Sequence, residues 1–291
     1  MLDEMTAPRV LARARQIVDP ALRAAVADLP DTVRRIVEYH LGWTDADGTP
    51  VPGEGGKRVR AALAVLGAEI VGADDATAAA GAAAVELMHN FTLLHDDIMD
   101  GDGTRRHRPT AWRAFGVGPA MLAGDALLVR AVELVQDTAT RGAPDAARLL
   151  TRTAMALVAG QSADLDGPRD LAGYRVMAAG KTGSLLACAL SIGPVLAGAP
   201  ASRTAALSRA GTQLGCAFQA VDDLLGCGAA RRTPASPPAP TCARASGPCR
   251  CCSRSTRARR RQRRCARCSP APPGARTTAR GRRPGRGRRR P

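Results

Sequence analysis

Leu87-Met88-His89-Asn90-Phe91-Thr92-Leu93-Leu94-His95-Asp96-Asp97-Ile98-Met99-Asp100-Gly101-Asp102-Gly103-Thr104-Arg105-Arg106 runs from an apolar stretch into a knot of acids and then a pair of bases. On a helix, Asp96 and Asp100 stand four apart and project from one face, one turn above each other. Two carboxylates so placed repel unless a cation sits between them. Hard oxygen ligands with room left for water suit Mg²⁺ bridging to a phosphate. A solvated acidic helix end is the commoner reading of such a cluster, but a second occurrence weakens it. Gln213–Leu225 repeats the arrangement, with the apolar run Cys216-Ala217-Phe218-Gln219-Ala220-Val221 ending in Asp222-Asp223-Leu224-Leu225. Two helices that end alike point to facing carboxylate clusters. Cations suited to phosphate accompany them: Lys57 and Arg60 on one turn behind Gly55-Gly56, the pair Arg105-Arg106, and Lys181-Thr182-Gly183. Arg forks grip phosphate oxygens bidentately and Lys adds a point charge, so acids and bases together imply metal-bridged diphosphates.

Outward from that stretch, alanine dominates and β-branched or aromatic runs are scarce, which favours helix over strand. Helical spacing is readable over Arg9–Ala27, Thr32–His40, Lys57–Val71, Ala76–Asp100, Gly118–Gln136, Asp145–Leu165, Leu171–Ala179, Lys181–Leu196 and Ser202–Leu225. Punctuation marks most breaks, as at Asp19-Pro20, Leu29-Pro30-Asp31, the Thr44–Gly56 loop, Gly142-Ala143-Pro144 and Gly167-Pro168. Many helices joined by short loops describe an all-α fold, a single helical bundle with almost no sheet.

The charge of the 291 residues, +16, sits at one end. From Cys227 onward 65 residues carry 20 Arg, no Lys, Asp or Glu, seven of the nine Cys and 10 of the 21 Pro. Residues 1–226 are left with 22 Lys+Arg and 26 Asp+Glu, the balance of an ordinary soluble domain. The last 65 residues hold no Val, Ile, Leu, Met, Phe, Tyr or Trp, so nothing offsets roughly 1–2 kcal/mol of ordering entropy per residue. The expectation is one domain, 1–226, followed by a disordered tail, 227–291. Asp3, Glu4, Arg9, Arg13 and Arg15 interrupt the start, which does not read as a secretion signal and predicts a cytoplasmic protein. Thr182–Pro200 is uncharged, but Gly183, Gly193, Pro194 and Gly198 interrupt it and it barely reaches the ~20 apolar residues of a span. It reads as a buried core helix, with no integral membrane segment.

The motifs, taken in order, resemble the trans-type isoprenyl diphosphate synthases (polyprenyl synthetases), and their actinobacterial members in particular. The resemblance runs through Gly55-Gly56-Lys57-Arg58-Val59-Arg60, His89, Asp96-Asp97-Ile98-Met99-Asp100, Arg105-Arg106, Gly124-Asp125, Gly160-Gln161-Ser162-Ala163-Asp164-Leu165, Lys181-Thr182-Gly183 and Phe218-Gln219-Ala220-Val221-Asp222-Asp223. A lone DDxxD is weak; this ordered series is strong. It implies a bundle around a central cavity, a homodimer, and a Mg²⁺-dependent prenyltransferase that condenses isopentenyl diphosphate with an allylic diphosphate to give geranylgeranyl or farnesyl diphosphate. By the same resemblance Asp96 and Asp100 hold Mg²⁺ against the allylic diphosphate, Asp222 holds a further ion, and Asp97 belongs to the catalytic cluster. Arg105, Lys181, Thr182 and Gln219 meet the allylic diphosphate; Lys57, Arg60, His89 and Arg106 form the pocket for isopentenyl diphosphate. Phe91 lies five residues before Asp96, about 7.5 Å of helix rise, and with small Thr92 beside it resembles the floor that limits chain length.

Other residues read as ordinary. His95 is expected to support Asp96 or to serve as a structural residue instead of a catalytic one, His40 and His107 to lie on surface or loop, and Cys188 and Cys216 to act as small buried hydrophobes. Trp43, Trp112 and Tyr174 read as packing residues.

After Gly226 the resemblance stops. The third acid of the second motif is Gly226, and the family's later Lys residues and last helices are replaced by Pro, Arg and Cys. A Cys codon read one base earlier encodes Leu, Val or Met, so a Cys-rich tail without aliphatics fits a displaced reading frame. From Ala229 to Cys251 the displaced frame can spell GPADTGKPPGADLRARKRSLPVL, resembling a run common in the family, and the tail is therefore expected to be a frame-shift product. Zinc or nucleic-acid binding by it is disfavoured by irregular Cys spacing, no His and no aromatics. A terpene cyclase would not need the second pocket of Lys57, Arg60, His89 and Arg106. A truncated, non-catalytic subunit is the other alternative.

Overall fold

The computed structural model describes residues 6–52 and 56–232, with side chains up to 225. Gly55 of the Gly55-Gly56 pair and nearly all of the tail expected to be disordered lie outside the described residues. Two compact units divide the chain, Met1–Asp222 and Asp223–Pro291. In the second, the described backbone is helix, residues 223–232.

The first unit is built of helices whose bounds follow the sequence spacing. Helix α1 (Ala7–Ala27) passes through Pro20 instead of breaking at Asp19-Pro20. Pro20 is on the exposed side, between Val18 and Leu22, which are buried in the core. The carbonyl deprived of its helical donor therefore faces outward, where the loss is smallest. Helix α2 (Asp31–Leu41) ends at left-handed Gly42. Helix α3 (Val59–Ile70) begins after the loop that carries Lys57. The axis of the fold is α4 (Asp75–Asp100), capped by the Asp74 carboxylate, which accepts from the Thr77 amide at 2.8 Å, and stopped by left-handed Gly101. It packs against α1 and α3, and nearly every residue from Gly81 to Phe91 is buried.

Beyond α4 the chain makes two features that the sequence reading lacked. Strands β1 (Thr104–Arg105) and β2 (Arg108–Pro109) pair antiparallel with Arg105 opposite Arg108, and α5 (Ala111–Phe115) follows. Then come α6 (Val117–Gln136) and α7 (Ala143–Asp166), the former packed on α4 and the latter on α6. Helix α8 (Leu171–Ala178), a π turn (Ala179–Gly183) and α9 (Ser184–Leu196) form one continuous run. That run is long and apolar enough to cross a membrane by length and composition, but 72% of its apolar window is buried inside the protein. It is a core helix: Leu185 to Leu196 is buried except Val195, and α9 packs on α3, α4 and α7. The contact with α3 is backbone-close, since a Cβ on Gly193 would lie 2.5 Å from that of Ala68. Helix α10 (Ala201–Arg232) carries the second acidic motif.

Candidate active site

The C-terminal turn of α4 gathers the first acidic motif. Asp96 and Asp100 are half-buried and share a face. Asp97 points elsewhere: it is 2% exposed and takes three hydrogen bonds from the Arg105 guanidinium at 2.8–3.1 Å. Asp97 thus anchors β1 to α4, and Arg105, read from the sequence as a diphosphate ligand, is held on that carboxylate. Carboxylates at a helix C-terminus sit at the negative end of its dipole, which is unfavourable without a cation. Two hard oxygen donors one turn apart fit Mg²⁺, an ion that takes one or two carboxylates and completes its shell with water and substrate phosphate. Among the described residues no three His, Cys, Asp or Glu side chains converge as a ready-made cluster. Asp222, exposed near the end of the first unit, is accordingly not gathered with Asp96 and Asp100 into one protein-only site.

Behind this turn lies a cationic pocket. Arg60, in the first turn of α3, meets the His89 ring on α4, Nη1 to Nε2 at 3.1 Å. Arg106 reaches toward Gly56, where an added Cβ would come 2.8 Å from its Nη2. Arg106 and His107 form the two-residue turn of the β1–β2 hairpin with φ of 51° and 63°, the type I′ pattern that usually takes Asn-Gly. Strain of this kind clusters at functional sites. Lys57, next to Gly56, is exposed. Burial, then Arg60, His40, Arg105 and Arg106, hold the His89 imidazole well below its usual range, so it stays neutral. Burial also lowers Arg60, opposed by Glu86.

The expectation that His40 lies on the surface is corrected here. Its Nε2 is sealed from solvent without a hydrogen-bond partner, and burial, Arg105 and Arg106 push the ring down to about 3, opposed by Asn90. The ring is enclosed by contacts with distant residues, Asn90 of α4 and the Arg105-Arg106 pair, which local spacing at a helix end does not reveal. It lines a cavity of about 320 Å³ together with Asp97, Arg105, Arg106, Arg108 and Thr110. His107, by contrast, is exposed on the turn, as expected.

A second polar set is built on the π turn. Lys181 Nζ donates to Asp164 of α7 at 2.6 Å, and the Thr182 hydroxyl to Gln219 Oε1 of α10 at 2.6 Å. The approach needs glycine: a Cβ on Gly160 would strike the backbone of Gly180 and Lys181, and one on Gly215 would lie 2.5 Å from the Gly183 Cα. Gln161, beside Gly160, has both amide atoms buried without a partner. Gly124 serves likewise on α6: there is no room for a Cβ against the His95 ring, whose Nε2 lies 3.1 Å from the Met121 carbonyl oxygen. The same His95 nitrogen also lies 3.5 Å from Asp125 Oδ1. Phe91 is 8% exposed with its ring edge-on to His95, centroids 4.9 Å apart. Thr92 gives its hydroxyl to the His89 carbonyl. Trp112 donates to the Asp102 carbonyl, Arg23 stacks on Trp43, and burial pushes the Cys188 thiol up to about 12.

Sequence reasoning quoted Arg58 and Asp164 within motifs without giving them roles, and passed over Glu86. A lone acid inside the Ala-Ala-Val-Glu-Leu-Met run was the signal for Glu86.

The polyprenyl synthetase family model matches residues 49–234. A (2E,6E)-farnesyl diphosphate synthase of Mycobacterium tuberculosis is 44% identical over 221 residues, which covers 75% of this chain and 62% of that protein. A geranylgeranyl diphosphate synthase of the same organism is 45% identical over 222 residues, 75% of this chain and 63% of its own length. This chain thus spans less than two thirds of those relatives. Among solved structures, a polyprenyl synthetase from Streptomyces coelicolor A3(2) is 48% identical with a TM-score of 0.72, the match covering 76% of this chain and 67% of that one.

Proposed function

Because the chain belongs to the polyprenyl synthetase family, we propose that it condenses isopentenyl diphosphate with an allylic diphosphate in a Mg²⁺-dependent prenyl transfer, giving farnesyl or geranylgeranyl diphosphate. The observation that carries this reading is a pair of diphosphate-competent sets on different elements. Arg60, His89 and Arg106 form one beside α3 and α4; Lys181, Thr182 and Gln219 form the other on the π turn and α10. A reaction on a single diphosphate needs only one of them.

Asp96 and Asp100 would hold Mg²⁺, with Asp222 contributing to a further ion, and such ions supply the electrostatic clamp on a departing diphosphate. Lys181 turns its ammonium from Asp164 to the allylic diphosphate, and Arg105 bridges that group to buried Asp97. Thr182 and Gln219 orient it. Lys57, Arg60 and Arg106 seat the second diphosphate, while neutral His89 adds a hydrogen bond without a charge. Breaking the allylic C–O bond sends its electron pair to the diphosphate. The homoallylic double bond then attacks the allylic cation, and a proton leaves to the released diphosphate. Phe91, buried below Asp96, would limit how far the product grows.

A second copy of the chain is the proposed partner. Leu122 and Val129, two turns apart, share one face of α6, Val117 and Met121 lie one turn apart on the adjoining face, and all four are exposed. Sedimentation should report a dimer that Leu122→Glu dissociates. The activity itself is tested with labelled isopentenyl diphosphate, an allylic diphosphate and Mg²⁺. Labelled prenyl product that disappears in Asp96→Ala is expected; turnover unaffected by that change would overturn the reading.

A further inference from the structure

We propose that Glu86 is a positioning residue for the second diphosphate pocket, acting through Arg58 to fix the strained turn from which Lys57 and Arg60 project. The inference rests on the assignment of Lys57, Arg60 and Arg106 to a diphosphate. Glu86 is 4% exposed inside α4, and Arg58, immediately before α3, is 6% exposed. Their side chains meet at 3.1 Å, while Arg58 Nε also reaches Asp19 of α1 at 3.2 Å. The other Glu86 oxygen accepts from the Ala61 amide at 3.2 Å. One carboxylate therefore satisfies an amide that opens α3 and ties the residue before that helix. Arg58 supplies no side-chain cap of its own.

Arg58 adopts φ 53°, and the described non-glycine residues with positive φ are Arg58, Arg106 and His107, all beside this pocket. An L-residue holds that left-handed conformation only where surrounding contacts over-determine it. Those contacts are visible: Arg15 of α1 donates to the Gly56 carbonyl at 3.1 Å, Asp19 holds Arg58 from the same helix, and Glu86 holds it from α4. Arg58 stands between Lys57 and Arg60, so relaxing its backbone swings both.

A buried ion pair is a weak source of stability, since apolar residues of similar volume often do as well. That makes a geometric role the better account of this one. Glu86 is also the acid that faces Arg60 and Arg106, opposing the fall that burial imposes on both guanidiniums. His89, which meets Arg60, sits one turn further along α4.

The test uses the full 291-residue chain. Amide hydrogen exchange reads Ala61 and Ala62, whose N–H groups donate to Glu86 and to the Arg58 carbonyl. Calorimetry reads isopentenyl diphosphate affinity. Glu86→Gln should speed exchange at those amides at least tenfold, leave the middle of α6 unchanged, and weaken isopentenyl diphosphate at least tenfold without weakening an allylic diphosphate. If Glu86→Gln fails to fold, the double change Arg58→Met with Glu86→Met removes the buried charges together and should fold while showing the same two losses. Unchanged exchange, or unchanged affinity in a protein that binds isopentenyl diphosphate, overturns the proposal. A wild-type chain that binds no isopentenyl diphosphate defeats the two-diphosphate reading instead, and the proposal with it.

Discussion

Adding one methyl group at Gly160 should damage both the fold and the allylic diphosphate site. The Cβ of Gly160→Ala would fall 2.8 Å from the Lys181 Cα and closer still to the Lys181 nitrogen and the Gly180 carbonyl carbon. Ordinary carbon contacts are about 3.5–4.0 Å, so α7 and the π turn must part by about 1 Å. Backbone atoms cannot rotate away as a side chain can. Overpacking typically costs about 1–3 kcal/mol, and the upper end applies here; alanine's helix preference returns at most about 1 kcal/mol. A net loss of about 2 kcal/mol in a body of this size lowers Tm by roughly 4–8 °C. The same displacement moves the π turn that carries Lys181 and Thr182 and should weaken an allylic diphosphate about tenfold, equivalent to about 1.4 kcal/mol. Thermal unfolding by circular dichroism and titration calorimetry read the two effects. Gly118→Ala on α6, where a Cβ would meet nothing within 4 Å, is the control and should be neutral or stabilising. Equal Tm and equal affinity for Gly160→Ala would refute the glycine-dependent crossing.

Phe91→Ala should lengthen the product chromatographed from the labelled reaction, because the buried ring lies below Asp96; an unaltered distribution would give the floor to another side chain. His107→Gly should add up to about 1 kcal/mol to the unfolding free energy, read as a higher urea midpoint, since glycine takes a positive φ without the ~1–2 kcal/mol penalty of an L-residue; a lower midpoint would contradict the strained-turn reading. His40 should contribute to acid sensitivity. Its folded pKa near 3 lies below the ~6.5 of the unfolded chain, so the unfolded state takes up a proton that the folded state does not. The contribution is present above that value and lost as pH falls toward the folded pKa, by about 1.4 kcal/mol per pH unit. Urea midpoints between pH 6 and 4 should therefore fall less steeply in His40→Gln, and an identical slope would show that the ring is not buried neutral.

Long helices with uninterrupted spacing were legible in the sequence, and α4 with its acidic end was the clearest of them. The parts that were not legible depend on contacts between distant segments. Two-residue strands such as Thr104–Arg105 leave no periodicity to read, and α5 is shorter than two turns. The π turn looked like a gap between Ala179 and Lys181 because its extra residue shifts the apolar register. The motifs named the site residues but not their present partners: Asp97 reads like its acidic neighbours until Arg105 is seen on it, and Lys181 like a free cation until Asp164 is. His40 and Glu86 are set by packing between helices, which local composition does not encode.

The central claim is that the acidic turn of α4 receives an allylic diphosphate through Mg²⁺. Calorimetry of a non-ionisable allylic thiolodiphosphate against the 291-residue chain, with Mg²⁺ and with EDTA, tests it most directly. The account predicts binding that requires Mg²⁺ and is lost in Asp96→Ala/Asp100→Ala while the helical circular dichroism is retained. Binding of equal strength in EDTA, or in the double variant, would contradict it.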